Sequence, residues 1–289
     1  MHKFTQKVYQ IFLPIILLEC FLITSYSNAL LPRINEPNKN EFESTSIQIG
    51  QTAIQLMQFG QYDEAIKLFK LAIKLNPKEK DIWISLAEAQ VRSNKKYQAL
   101  NSLNEAIKLK PKDQNIYFSK ASIYMDLNDP KEAKTLIEKG LSINKNNERG
   151  YFQLGNAEIM LNNYKSALIA FKKSSKINSK FWQSINNEGL VLYELNYPKE
   201  ALSKFELALK ISNDAEPMLA LAVILFTSDN SSIESIELAK NALKSNPQYI
   251  SRDFQAKQLW GKKLQSSAKL LFKTKEMKKV VKEAKERSE

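Results

Sequence analysis

The 289-residue chain has one histidine, one cysteine and seven glycines. Both His2 and Cys20 fall within the first twenty residues. A chain processed behind that point has neither imidazole nor thiol. This excludes Ser-His-Asp and Cys-His catalysis, the usual zinc ligand sets, and disulfide or thioredoxin-type chemistry. Glycine scarcity argues in the same direction against phosphate-cradling loops, and no GxGxxG or GxxxxGK string occurs. Carboxylates are plentiful, but no pair of them is set in an apolar pattern that would tune an acid and a base. The expectation is a non-catalytic protein without a cofactor or metal.

What is present begins with a leader. Lys3 and Lys7 precede an apolar run from Val8 to Thr24, and Ser27-Asn28-Ala29 offers small residues beyond it. A basic start, a greasy middle and a small-residue exit read as an export signal over residues 1–29. Three alternatives stand: a cleaved signal, a retained anchor through residues 8–24, or a start that does not engage a membrane. Pro14 and Glu19 weaken the apolar run, and Glu19 directly before Cys20 argues against a lipid-modified cysteine. The positive-inside tendency keeps Lys3 and Lys7 in the cytoplasm, so the remainder crosses an inner or thylakoid-type membrane to the periplasm or lumen. Residues 30–45, with Pro32 and Pro37, read as an extended linker.

From residue 46 to 249 the chain repeats every 34 residues. Pro77, Pro111 and Pro247 share one register, and units begin near Ser46, Lys80, Gln114, Glu148, Trp182 and Glu216. One column holds Ala65, Ala99, Ala133, Ala167 and Ala201; four residues on stand Phe69, Leu103, Ile137, Phe171 and Phe205. A small residue recurs earlier, at Ala53, Ala87, Ala121, Gly155 and Gly189. Apolar spacing of i, i+3, i+4 and i+7 predicts two helices per unit. Turn formers lie between them: Gly60, Asn94, Asn128-Asp129-Pro130, Asn162 and Asn196.

The spacing W/Y-x2-L-A/G, then A-x3-F-x2-A and a closing proline, resembles the tetratricopeptide repeat (TPR). Trp83-x2-Leu86-Ala87, Tyr151-x2-Leu154-Gly155, Ala65-x3-Phe69-x2-Ala72 and Ala201-x3-Phe205-x2-Ala208 carry the likeness. Gln90, Lys120, Glu158 and Glu188 depart from it, as do Ser235 and Ala239 in the sixth unit. The resemblance implies an all-α, right-handed TPR superhelix, an α-solenoid of about six helix-turn-helix repeats. It also implies a concave groove lined by first helices, which takes a peptide or helix of another protein. Carried onto this chain, the groove residues are Phe118, Met125, Phe152, Asn156, Ile159, Met160, Asn186, Asn187 and Tyr193. The layout, a hydrophobic start followed by repeats, is similar to that of TPR scaffold proteins of photosynthetic bacteria, which implies assistance in assembling a membrane complex.

Residues 250–289 break the period. Phe254, Trp260, Leu264, Ala268 and Leu271 predict one apolar-sided helix that caps the stack. The segment carries 12 Lys and Arg against 5 Asp and Glu, out of a net charge of +12 for the whole chain. Lys262, Lys263, Lys269, Lys278, Lys279 and Lys282 form a basic tail, and anionic membrane or nucleic-acid binding through it is the alternative function. Aromatics do not interleave with the lysines beyond Trp260 and Phe272, so nucleic acid is the weaker partner.

Overall fold

A computed structural model describes residues 38–228 and 233–288 of the chain. The expected export signal or anchor, 1–29, lies outside the described residues. Among those described, no helix is long and apolar enough to cross a membrane. Two units are distinguished, one ending at Thr45 and one running from Ser46.

Twelve helices alternate along the repeats: α1 (Lys39–Gln58), α2 (Tyr62–Leu75), α3 (Lys80–Arg92), α4 (Lys96–Leu109), α5 (Gln114–Asp126) and α6 (Pro130–Ile143). They continue as α7 (Glu148–Met160), α8 (Tyr164–Ile177), α9 (Trp182–Glu194), α10 (Pro198–Ile211), α11 (Ala215–Ser228) and α12 (Ile233–Ser245). Odd-numbered helices open a hairpin and even-numbered helices close it. Residues 39–45, expected as the end of an extended linker, are instead the first turns of α1. Asn38 and Glu41 start it early. The Asn38 carboxamide accepts from the Glu41 N–H at 3.1 Å, and the Glu41 carboxylate accepts from the Asn38 N–H at 3.0 Å.

Each of the first five hairpins turns on a residue in the left-handed region. Gly60 fills that place first, and then Asn94, Asn128, Asn162 and Asn196, with φ of 57° to 70°. Asparagine tolerates this conformation better than other side-chain-bearing residues. Helix starts are pinned locally. Asp129 accepts from the Glu132 N–H ahead of Pro130, and Asn147 accepts from the Gly150 N–H. Adjoining repeats are tied by aromatic donors. Trp83 Nε1 donates to the Pro77 carbonyl and Tyr117 Oη to the Pro111 carbonyl, both at 2.9 Å.

Large residues of the even helices fill the core. Phe69, Phe171 and Phe205 are fully buried. A Cβ on Gly155 would lie 2.4 Å from the Phe171 ring, and one on Gly189 would lie 2.7 Å from Phe205. The small columns are therefore seats for these rings. Three departures from the motif become buried polar pairs. Lys134 Nζ lies 2.8 Å from the Glu158 carboxylate, Lys204 Nζ lies 2.6 Å from Glu188, and Ser102 donates to Gln90 at 2.7 Å. A paired and hydrogen-bonded carboxylate is tolerated where a lone one is not.

The C-terminal segment is not one capping helix. It folds as a 3₁₀ turn (Pro247–Ile250), α13 (Arg252–Lys257), α14 (Lys262–Phe272), a second 3₁₀ turn (Lys275–Met277) and α15 (Lys278–Ser288). Leu259, at φ 63°, breaks the helical path, and the Trp260 N–H turns back to the Gln255 carbonyl. Leu264, Ala268 and Leu271 are buried as expected, but against α9 and α11. α15 covers the end of the stack, packing on α12 and the first 3₁₀ turn.

Trp260 Nε1 donates to Glu216 at 3.0 Å, at the start of α11. Burial pushes the Glu216 carboxyl up to about 7. The Trp260 and Asn186 hydrogen bonds oppose the rise and the nearby Asp214 charge adds to it. Burial also raises the Tyr249 hydroxyl beside it, with the Glu216 and Asp214 charges adding to the rise.

Two predictions follow from this packing. Phe205→Ala is expected to lower the unfolding free energy by about 3–5 kcal/mol in urea titration, whereas Phe59→Ala, at a 79% exposed site, changes it by less than about 0.5 kcal/mol. Because folding favours protonated Glu216, its contribution is complete below the ordinary carboxylate range and lost as pH rises through about 7. Urea midpoints between pH 5 and 8 should fall for the native chain relative to Glu216→Gln, and parallel profiles would contradict this assignment.

Candidate groove on the first helices

The concave wall is built by odd helices, whose last turns lie beside the asparagine turns. Along α3, α5 and α7 it is open. A cavity of about 660 Å³ there is bounded by Ile84, Glu88, Arg92, Phe118, Asp126 and Arg149, among others. Its floor is apolar and its rim carries both charge signs. Asp126 and Arg149 are exposed, and neither has an ion-pair partner among the described residues. The Gln153 Oε1 is shielded from solvent without a hydrogen-bond partner.

Along α9 and α11 the same wall is occupied by the chain's own α14. Lys263 N–H and Leu264 N–H donate to the Glu194 carboxylate at 3.3 and 3.0 Å. Lys263 Nζ donates to the Tyr193 carbonyl at 3.3 Å and to Asn196 Oδ1 at 2.7 Å, and it stands 4.7 Å from the centroid of the Tyr193 ring. The Tyr193 hydroxyl and Ser267 share a hydrogen bond of 3.0 Å.

These facts correct the expected groove residues. Tyr193 is buried beneath α14. Asn186 is fully buried, and Asn187 nearly so. Their amide nitrogens are spent internally: Asn186 Nδ2 donates to Asn187 Oδ1, and Asn187 Nδ2 donates to Asn156 Oδ1 at 3.1 Å. Ile159 is buried with Ala167, Phe171 and Val191. Phe118 contributes only an edge to the cavity, because its ring enters the space beside Gly140 and Gly150, where a Cβ would come within 2.7 Å. Phe152 is half-buried, its ring 5.1 Å from Phe181 and 5.8 Å from Phe171. Met125, Asn156 and Met160 remain partly accessible.

The basic tail is also redistributed. Lys263 is a docking residue of α14. Lys262 and Lys269 are exposed on that helix, while Lys278, Lys279 and Lys282 are exposed on α15 at the end of the stack. Lys279 and Lys282 stand 3.9 and 4.0 Å from Glu283 and Glu286. The sequence reading of the site missed Arg149 and Gln153. Their register is visible in the repeat, but the rule that picks them out is the side of α7 left uncovered, which depends on where α14 goes.

Family models described as tetratricopeptide repeat match residues 56–123 and 114–147. No curated protein matches the chain significantly in sequence. Similar solved structures include PilW, a type IV pilus biogenesis factor, at 18% identity and TM-score 0.61, covering 73% of this chain and 97% of that one. Pseudomonas aeruginosa PilF matches at 16% identity and TM-score 0.61, over 76% and 99%. A MamA protein matches at 20% identity and TM-score 0.53, over 60% and 92%. At such identities the likeness is one of fold. Residues 56–147 are tetratricopeptide repeats, and the six hairpins stacked in that register form an all-α TPR superhelix.

Proposed function

We propose that this protein is a non-catalytic scaffold that holds a segment of another protein in the groove along α3, α5 and α7. The observation carrying the reading is the contrast within one wall. Two of its first helices are covered by α14, while three keep an open floor, and on its rim Asp126 and Arg149 have no ion-pair partner among the described residues. Such a mix of apolar floor and charged rim suits peptide or helix capture. The finer reading is that the partner belongs to a membrane complex met after export. It rests on the N-terminal sequence and the layout likeness, and the N-terminus and compartment of the native protein test it.

The groove itself is tested by a photo-crosslinking residue placed in cells at Ser122, on the groove, or at Leu207, on an exposed side of α10. An adduct specific to Ser122 and lost on Arg149→Glu is expected. Equal adducts at both places, or none, would contradict the reading.

A second reading has its own observation. Lys74, Lys108, Lys176, Lys210 and Lys244 hold one register position in the last turn of five even helices, and all are exposed. One lysine per helix end complements the dipole. Antiparallel hairpins bring these ends to a common edge, and α15 reaches the same edge, where Arg287 donates to the Lys244 carbonyl at 3.0 Å. A row of point charges without stacking aromatics favours an anionic lipid surface over nucleic acid. Vesicles rich in phosphatidylserine should pellet the protein at low salt and release it near 0.5 M salt, with Lys278→Glu and Lys282→Glu together weakening the association. Salt-independent or absent pelleting would remove this reading.

A further inference from the structure

The chain already seats one helix on its own concave wall, and the parts used can be named. The carboxylate of Glu194, last residue of α9, takes the first-turn N–H groups of α14. Asn196, in the left-handed turn, takes the amine of a first-turn lysine. Gly261 permits the close approach, since a Cβ there would lie 2.1 Å from the Glu194 carboxyl carbon. An apolar stripe at Leu264, Ala268 and Leu271, spaced i, i+4 and i+7, then closes on the wall. A carboxylate at a helix N-terminus meets unpaired N–H groups and the positive end of the dipole together.

The 34-residue register says where these parts recur. The column of Glu194 reads Gln58, Arg92, Asp126 and Met160 in the preceding repeats. Asp126 is the one other carboxylate among these five. Arg92 would repel a helix N-terminus, and Gln58 and Met160 offer it no charge. Two residues beyond Asp126 stands Asn128, at φ 60° in the place of Asn196 at 70°. Met125 stands in the place of Tyr193. On the facing helix α7, Arg149 and Gln153 occupy the places of Pro217 and Leu221 of α11. Asp126, Arg149 and Gln153 all border the open cavity.

We infer that the stretch of groove between α5 and α7 docks an amphipathic helix of a partner protein. Its first-turn N–H groups sit on Asp126 and a first-turn Lys or Arg reaches Asn128. An apolar stripe lies on Met125, and a partner carboxylate meets Arg149. A donor side chain of the same helix satisfies the Gln153 Oε1. The partner is thus like α14 at its start and acidic on the side that α14 keeps apolar. Asp126 is one carbon shorter than Glu194, so a glycine before the helix is not demanded. This inference deepens the scaffold reading and rests on it.

The test uses the full chain and two labelled, N-acylated helix probes, peptides of residues 259–273 carrying Ala268→Glu or Leu271→Glu to supply the acidic side, read by fluorescence anisotropy. Saturable binding is expected, weakened at least tenfold by Asp126→Lys and by a Ser266→Pro peptide that cannot form the helix, and unaffected by Ser203→Lys. Asp126 is exposed, so circular dichroism of Asp126→Lys should match the native chain. Absent binding, binding indifferent to Asp126→Lys, or binding that follows Glu194→Lys instead, as exchange with α14 would give, overturns the inference. A random-peptide selection on the same chain separates the two levels. Peptides sensitive to Arg149→Glu but indifferent to Asp126→Lys would overturn the helix and leave the groove. If no selected peptide is sensitive to Arg149→Glu, both fall.

Discussion

The seating of a large even-helix side chain on a small odd-helix residue governs the rest of the molecule. Phe171 lies against Gly155 and Phe205 against Gly189, so closely that the facing position has no room for a side chain. A hairpin of two short helices cannot bury its apolar side alone. Stacked hairpins can, provided the large side chain of this column, a ring at Phe69, Phe171 and Phe205 and an aliphatic group at Leu103 and Ile137, finds its seat. That requirement fixes the 34-residue register, and the register fixes which side of each odd helix turns inward. The open cavity, the place of Asp126 and the edge of lysines are all consequences of that one spacing.

The end of the stack obeys a different constraint. A terminal hairpin leaves an apolar side that must be covered, and here α15 covers it while α14 turns back into the concave wall. The polar fittings of α14 are as specific as its apolar ones. Glu194 receives two backbone N–H groups, Lys263 is held by Tyr193 and Asn196, and Trp260 is tied to Glu216. The last two repeats and the C-terminal segment form one continuous core as a result. The open groove is thereby shortened to the stretch before α9.

The repeats were legible because they are local and periodic. Ala65 to Ala201, the ring column four residues on, and the asparagine turns each announce themselves at a fixed interval. Asn38 and Glu41 show the limit: two residues of capping chemistry started a helix within a stretch whose prolines and polar residues read as linker. The site was less legible. Asn186, Asn187 and Tyr193 have the register of groove residues, and burial by a segment some seventy residues further on cannot be read from that register. Phe118 was misread for a nearer reason. Gly140 and Gly150 are gaps in two neighbouring helices, and a ring enters a gap sooner than it faces water. Asp126 and Glu194 share a column plainly, but only the helix found on Glu194 gives that column a meaning.

The claim at the centre is that one concave wall is open over α3 to α7 and closed over α9 to α11. Thiol labelling of single-cysteine variants measures this directly in a chain whose Cys20 has been replaced. Ser122→Cys, on the open stretch, should react at close to the rate of a free thiol, while Leu190→Cys, in the core shared with α14, should react at least about a hundredfold more slowly. Comparable rates at the two positions would contradict the account.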